Sequence, residues 1–206
     1  MAGTMPHAIF VETGLDGGAT VAAYAAEMPG CAVFAPTDEE ATAGMPRRVE
    51  WFTAWLRDAG ERAPDFVGDN WYEVERADAA PGPDGIGRAA FSLDELPPSP
   101  AEFSAFLTWL ELAREELAAA LDTAADRAPD LVHALDALAR QDLASSAILG
   151  ASATVAGDDP IDRLYAAREV LTAALEAAGP GADGVRRLIR LAIADDLRLA
   201  GRLRGE

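Results

Sequence analysis

The chain of 206 residues has no lysine, one cysteine and two histidines. The single Cys31 excludes an internal disulfide framework, and neither His7 nor His133 lies near it in sequence to form a nucleophile–base pair. No apolar run approaches the roughly 20 residues of a membrane span, so no membrane partner is predicted. The N-terminus, MAGTMPHAIF, has no basic region followed by an apolar stretch. We therefore expect a cytoplasmic protein.

Basic residues are also scarce. The chain has 17 arginines and 35 acidic residues, so its net charge is −18. Such a balance is typical of a solvated acidic surface and disfavours nucleic-acid binding, which needs a basic face. The one basic cluster is interleaved with Asp195 and Asp196 near the C-terminus; its members are Arg186, Arg187, Arg190, Arg198, Arg202 and Arg204. The hydrophobic fraction of 50 % is sufficient for a buried core.

The first part of the chain is predicted to contain four strands and one helix. The strands are His7–Thr13, Ala19–Glu27, Cys31–Ala35 and Asn70–Arg76. Thr37 and Glu40 form a capping box that opens the helix. Its apolar stripe is Ala41, Met45, Val49, Phe52 and Leu56. Pro46 lies within this stripe and predicts a kink or a restart of the helix.

Prolines and glycines concentrate between Ala77 and Pro100, which indicates a linker or a long surface connection. Four amphipathic helices are predicted after it, beginning near Ser99, Pro129, Asp159 and Asp183. The third is predicted to start with Asp159-Pro160, and Ile148 is placed on the inner face of the second. The fold class is therefore α+β, with an α/β domain at 1–76, a linker at 77–98 and an up-and-down four-helix bundle at 99–206.

The N-terminal part resembles the HicB-type antitoxin domain over roughly residues 7–76. The resemblance is carried by Gly17-Gly18, Tyr24, Met28-Pro29-Gly30-Cys31 and Thr37-Asp38-Glu39-Glu40-Ala41. It implies a partial RNase H-like fold without catalytic carboxylates, which pairs with like domains and, in true antitoxins, blocks a small basic toxin. Such antitoxins continue into a DNA-binding segment, whereas this chain continues into helices.

The C-terminal part resembles the DinB-like bundle family over roughly residues 99–203. The segments ALARQDLASSAIL and VRRLIRLAIADDLRLAGRL carry this resemblance. It implies a metal-dependent thiol transferase or hydrolase with three histidine ligands. Those ligands would fall near Ala137, Leu191 and Asp195, none of which is histidine. No cofactor is therefore expected.

Carboxylates at helical positions are the remaining metal candidates. Asp142, Asp195 and Asp196, with Glu169 or Glu176, could bind a hard cation, and His133 is a further weak candidate. The more economical hypothesis is a buried ion pair of Arg168 with Asp195 or with Asp196, since ionic groups facing a core should neutralise one another.

The other candidate residues are interpreted as structural. Cys31 is expected to be a small buried residue at a strand corner, because no base lies near it to generate a thiolate. Trp51 and Trp55, with Trp71 and Tyr72, are expected to pack in the core and between domains. The alternative for this aromatic group is an apolar ligand pocket between the two domains.

Three functions remain open from the sequence. The first is a non-catalytic, homodimeric protein that binds a protein partner or a small molecule. The second is a metal-dependent DinB-like enzyme with carboxylate ligands. The third is an antitoxin-like regulator that sequesters a small basic toxin.

Overall fold

A computed structural model describes residues 7–64, 71–80, 86–123 and 129–205, and shows an α+β fold. Four strands form one sheet: β1 His7–Leu15, β2 Thr20–Ala25, β3 Ala32–Ala35 and β4 Trp71–Asp78. The helices are α1 Asp38–Asp58, α2 Pro100–Thr123, α3 Pro129–Ile148, α4 Pro160–Ala178 and α5 Val185–Arg204. Strands and helices therefore occur in the predicted order, although Asn70 of the predicted fourth strand lies outside the described residues.

The sheet is mixed, with strand order β3-β2-β1-β4. The pairs β1–β2 and β2–β3 are antiparallel, and β1–β4 is parallel. A parallel pair needs a crossover connection, which α1 supplies between β3 and β4. The turn between β1 and β2 spans Asp16–Gly18, and all three of its residues have positive φ values, of 52°, 73° and 92°.

Helix α1 begins at the predicted cap, and its predicted apolar stripe is buried throughout. The Thr37 hydroxyl accepts a hydrogen bond from the Glu40 amide, whereas the return bond of the predicted capping box, from the Thr37 amide to the Glu40 carboxylate, is not among the hydrogen bonds of the described residues. The predicted restart at Pro46 is wrong, because one helix runs from Asp38 to Asp58 with the proline inside it. Pro46 is exposed, so its ring lies on the solvent side of the helix, where water can satisfy the freed carbonyl.

The C-terminal helices begin at the predicted signals. Ser99 and Glu102 exchange both bonds of the capping box before α2, and the Asp159 carboxylate caps α4 through the Ile161 amide. One side chain differs from the prediction, because Ile148, expected on an inner face, is exposed at the end of α3. Trp109 on α2 is buried, because the buried face of α2 contacts residues of the sheet core as well as other helices.

Both faces of the sheet are covered. On one face Ile9 and Val11 belong to a core that also contains residues of α1, α2, α4 and α5. On the other face Phe10 and Tyr24 pack with Phe91 from the connection before α2. The described residues of the 77–98 segment thus connect the two parts and also cover the sheet. The boundaries of independently folding domains stay a prediction.

The Pro29-Gly30-Cys31 corner sits against α5. A Cβ on Gly30 would lie 2.1 Å from Cγ2 of Ile193 and 3.3 Å from the backbone nitrogen of Ala194, and Gly30 has a φ of +85°. Only glycine fits both the left-handed backbone and the close approach. The corner that carried the resemblance is therefore the point where the sheet contacts the last helix.

Among the described residues, no helix combines the length and the apolar character needed to cross a membrane.

Candidate functional site

Arg88, from the connection before α2, joins the sheet to α5 through two carboxylates. Its Nε lies 3.1 Å from Oε1 of Glu12 on β1. Its Nη1 donates to both carboxylate oxygens of Asp195 on α5, at 2.8 and 2.9 Å. The side chain of Glu12 is completely buried, and about a tenth of each of the other two is exposed. One guanidinium thus bridges two carboxylates from distant parts of the chain.

Glu12 has further partners on the same face of the sheet. The Tyr24 hydroxyl donates to Oε2 at 2.6 Å and the Ala89 amide donates to Oε1 at 2.6 Å. Burial by itself would raise the pKa of Glu12, but the charge of Arg88 and these hydrogen bonds outweigh burial, so the net pKa is lowered. Burial raises the pKa of Tyr24. Glu12 is therefore held ionised and Tyr24 neutral.

A cleft of about 360 Å³ opens in front of Arg88 and Asp195. The end of β1 forms one wall, and α3 and α5 form the others. At its polar end Gln141 donates from Nε2 to Oδ2 of Asp195 at 2.6 Å. Its apolar walls include Leu138 and Leu199. The cleft lies within the volume range of small-molecule sites and has the usual mixture of apolar walls and a few polar groups.

A second ionic cluster lies among the C-terminal helices and pairs two arginines with two aspartates. Arg114 donates to Oδ2 and Oδ1 of Asp196, both at 3.0 Å, and to Asp142 at 3.1 Å. Arg168 donates to Asp142 at 3.0 Å and lies 3.0 Å from Asp196. The predicted Arg168–Asp196 pair is therefore present. The other alternative, Arg168–Asp195, is wrong because Asp195 binds Arg88 instead.

This Arg/Asp cluster is buried and electrically neutral. Nearby charges raise the pKa of Arg168 despite the opposing effect of burial. Each arginine of the cluster also donates to a backbone oxygen. Arg114 donates to the Leu164 carbonyl, and Arg168 donates to the Leu110 carbonyl. Buried charges in such a network are compensated in place, so the cluster serves packing of the helices.

The candidate metal ligands are not brought together. Among the described residues there is no group of three or more His, Cys, Asp or Glu side chains that could hold a metal ion. Asp142 and Asp196 face guanidinium groups, and Asp195 faces Arg88. His133 is exposed on α3, and Glu169 and Glu176 are exposed on α4. The three candidate aspartates are thus engaged by arginine, and the two candidate glutamates lie apart from them on the surface of α4.

Cys31 is buried with a free thiol. Burial raises its pKa to about 12, although the charge of Arg48 acts in the opposite direction. A thiol with this pKa is almost entirely protonated near neutral pH, and the thiolate is the nucleophilic form. The side chain therefore acts as a small core residue at the corner before β3.

The aromatic residues divide into separate contacts. Trp51 and Trp55 stack on one another with ring centroids 5.8 Å apart, and both pack against the core shared by the sheet and helices. Trp71 lies 4.8 Å from the His7 ring, and Tyr72 is exposed on β4. The expected core packing holds for Trp51 and Trp55, whereas the placement of Tyr72 in that group is wrong.

The C-terminal arginines do not form a continuous basic surface. Arg190 pairs with Asp94, and Arg186 with Glu102. Arg187 donates to the Ala89 carbonyl, and Arg204 pairs with Glu116. Most of these arginines therefore bind acidic side chains or backbone carbonyls of the same chain. Arg198 and Arg202, in the last two turns of α5, line open grooves in the part of the chain that the structure describes.

Sequence reasoning missed Arg88 and Glu12. The signals for them were weak: a glutamate among apolar residues in a predicted strand, and an arginine inside a Pro- and Gly-rich connection. Neither residue could be identified from the sequence as the partner of the other, because they lie 76 positions apart. Comparison of the chain with protein-family models, curated proteins and solved structures finds no match.

Proposed function

We propose that the chain is a non-catalytic binding protein in which a HicB-like α/β module is joined to a DinB-like four-helix bundle, and that a small molecule binds in the cleft beside Arg88. The observation that carries this proposal is the ion pair of Arg88 with Asp195, at 2.8 Å. A built-in cation neutralises the carboxylate that a metal enzyme would need.

The position of the cleft supports a lost metal site. Of the ligand positions implied by the DinB-like resemblance, Ala137 and Asp195 line the cleft, and Leu191 is buried nearby on the same helix as Asp195. A guanidinium provides fixed donors, but it offers neither an open coordination position nor a titratable proton near neutral pH. Arg88 and Asp195 can therefore orient a ligand through fixed charges, which favours binding over metal catalysis at this end of the cleft.

Binding in the cleft is tested by closing it with a bulky side chain. Ala137 is exposed on α3 and lines the cleft, so Ala137→Trp should fill the cleft without disturbing the core. Ala147→Trp is the matched control, because Ala147 is exposed on the same helix and does not line the cleft. A fragment library is screened for compounds that raise the melting temperature of the unmodified protein.

We expect some fragments to raise the melting temperature of the unmodified protein and of Ala147→Trp, but not that of Ala137→Trp.

Elemental analysis and thermal shifts with Zn²⁺, Ni²⁺ and Mn²⁺ test the enzyme alternative in parallel. One tight metal per chain, with a metal-induced stability gain that disappears in Asp195→Ala and persists in Asp136→Ala, would overturn the proposal. So would a fragment set that does not distinguish the two tryptophan variants.

A further inference from the structure

A second groove lies next to the cleft and shares two lining residues with it, Arg198 and Arg202. It has a volume of about 350 Å³ and is bounded by the edge strand β3, helix α1 and the end of α5. Three arginines line it: Arg48 from α1, and Arg198 and Arg202 from α5. None of its lining residues is acidic. This concentration of positive charge is unusual in a chain with a net charge of −18.

Two of these arginines have defined orientations. The Arg198 guanidinium lies 4.5 Å from the centre of the Phe34 ring, and its Nη2 lies 2.6 Å from the Asp16 carboxylate. The Arg48 guanidinium lies 4.2 Å from the centre of the Trp51 ring. Contacts of this kind restrict the long side chains before any ligand arrives, which lowers the entropy cost of binding.

Arg202 is positioned differently. Within the part of the chain that the structure describes, its guanidinium makes no hydrogen bond or ion pair. It lies one turn beyond Arg198 on α5, so the two guanidinium groups share a helix face, and Asp16 compensates the charge of Arg198 but does not pair with Arg202. An anion beside Arg202 would compensate this second charge, and arginine side chains bind carboxylate and phosphate oxygens in a bidentate manner.

The remainder of the groove is apolar. Val33 and Phe34 on β3 and Leu197 on α5 form its walls. Such walls favour a ligand that carries a planar or aliphatic body next to its anionic group.

We propose that this groove is an oxyanion site for a small organic phosphate or carboxylate, with Arg202 and Arg198 binding the anionic group and the Phe34 side of the groove holding the apolar body. The proposal does not depend on ligand binding in the cleft, because the groove has its own walls on β3 and α1.

Isothermal titration calorimetry tests the site with three probes: phenyl phosphate, inorganic phosphate and the neutral benzyl alcohol. Arg202→Gln removes one charge and breaks no hydrogen bond or ion pair of its guanidinium among the residues that the structure describes. Arg140→Gln is the matched control, since Arg140 is exposed on α3 and lines neither the groove nor the cleft. Circular dichroism verifies that both variants remain folded.

We expect phenyl phosphate to bind more tightly than inorganic phosphate, and benzyl alcohol not to bind. Arg202→Gln should weaken phenyl phosphate about tenfold, with little change in Arg140→Gln. Added salt should weaken binding as well. Ala137→Trp should leave binding intact, because it closes the cleft and not the groove.

Four results would overturn the site. They are no binding of phenyl phosphate, equal affinity in Arg202→Gln and the unmodified protein, equal affinity for phenyl phosphate and inorganic phosphate, and loss of binding in Ala137→Trp. The last result would place the anion in the cleft, and it would leave the proposed function standing while removing this one.

Discussion

At the residue scale, single side chains in this protein connect segments that are distant in sequence. Gly30 touches Ile193 and Ala194 across more than half of the chain. Arg88 joins Glu12 on β1 to Asp195 on α5. These contacts make the stability of the sheet dependent on the last helix. Substitution of Gly30 and of Arg88 tests this dependence.

Substitution of Gly30 by alanine should destabilise the protein by roughly 2–5 kcal/mol. A left-handed non-glycine residue costs about 1–2 kcal/mol, and the new Cβ would overlap Ile193, which adds about 1–3 kcal/mol of overpacking. Gly17→Ala is the control, because Gly17 has a φ of +73° but a Cβ at this position would have no neighbouring atom within 4 Å. Urea unfolding measures both. Equal losses in the two variants would show that the contact with α5 has no energetic weight.

Substitution of Arg88 by methionine should destabilise the protein by about 3–5 kcal/mol at neutral pH, because it leaves buried carboxylates without their cation. The loss should shrink toward acid. In the unmodified protein the pKa of Glu12 is below its ordinary value of 4.5, so its stabilising contribution is complete above that value and is lost as the pH falls through the folded-state pKa.

Without Arg88, burial of Glu12 opposes ionisation and the variant loses stability as the pH rises above about 4.5, the ordinary value. The difference between the two proteins should therefore increase from about pH 4 to pH 7. Urea unfolding over this range provides the measurement, with Arg140→Met as the control. A pH-independent difference would argue against the ionised state of Glu12.

At the element scale, α5 is the central helix even though its sequence is rich in arginine. Fourteen of its 20 residues are buried, and these include Arg186, Arg190, Asp195 and Asp196. Each of these charged residues has a partner on another element. The helix can be buried on several sides because its charges are neutralised where they lie.

Removal of one member of the Arg/Asp cluster should reveal this dependence. Asp196→Ala should cost about 3–5 kcal/mol, since Arg114 and Arg168 would remain buried with one carboxylate between them. Asp136→Ala breaks the Arg163–Asp136 pair, in which about a quarter of each side chain is exposed, and should cost about 1 kcal/mol or less. Thermal and urea unfolding compare the two variants. Similar losses would contradict a structural role for the buried cluster.

At the scale of the whole molecule, one core contains residues of the sheet, α1, α2, α4 and α5. The connection before α2 adds Phe91 to the opposite face of the sheet. A shared core of this kind couples the two parts energetically, because neither can lose its partner without exposing apolar surface to water.

We therefore expect one cooperative unfolding transition. Far-UV circular dichroism reports mainly the helices, whereas tryptophan fluorescence reports Trp51, Trp55 and Trp71 near the sheet together with Trp109 on α2. The two signals should give the same urea midpoint. Two separate midpoints would instead favour independent domains at 1–76 and 99–206.

Local features of the chain were predictable. The Thr37 and Ser99 caps, the stripe from Ala41 to Leu56 and the burial of Cys31 follow from interactions within a few residues or from the spacing of apolar side chains. The restart predicted at Pro46 was wrong, because sequence alone does not say that its side of α1 faces water.

By itself, the sequence determined the order of strands and helices, where most helices begin and which faces are apolar, since all of these depend on short-range geometry. Only the tertiary structure decided the partners of the charges. Arg88 binds Glu12 and Asp195, Arg198 binds Asp16, and Arg202 lines a groove whose described lining residues include no carboxylate. Pairing of ions is set by which elements the fold brings within a few ångströms, and Coulomb energy depends on that distance and on burial rather than on separation along the chain.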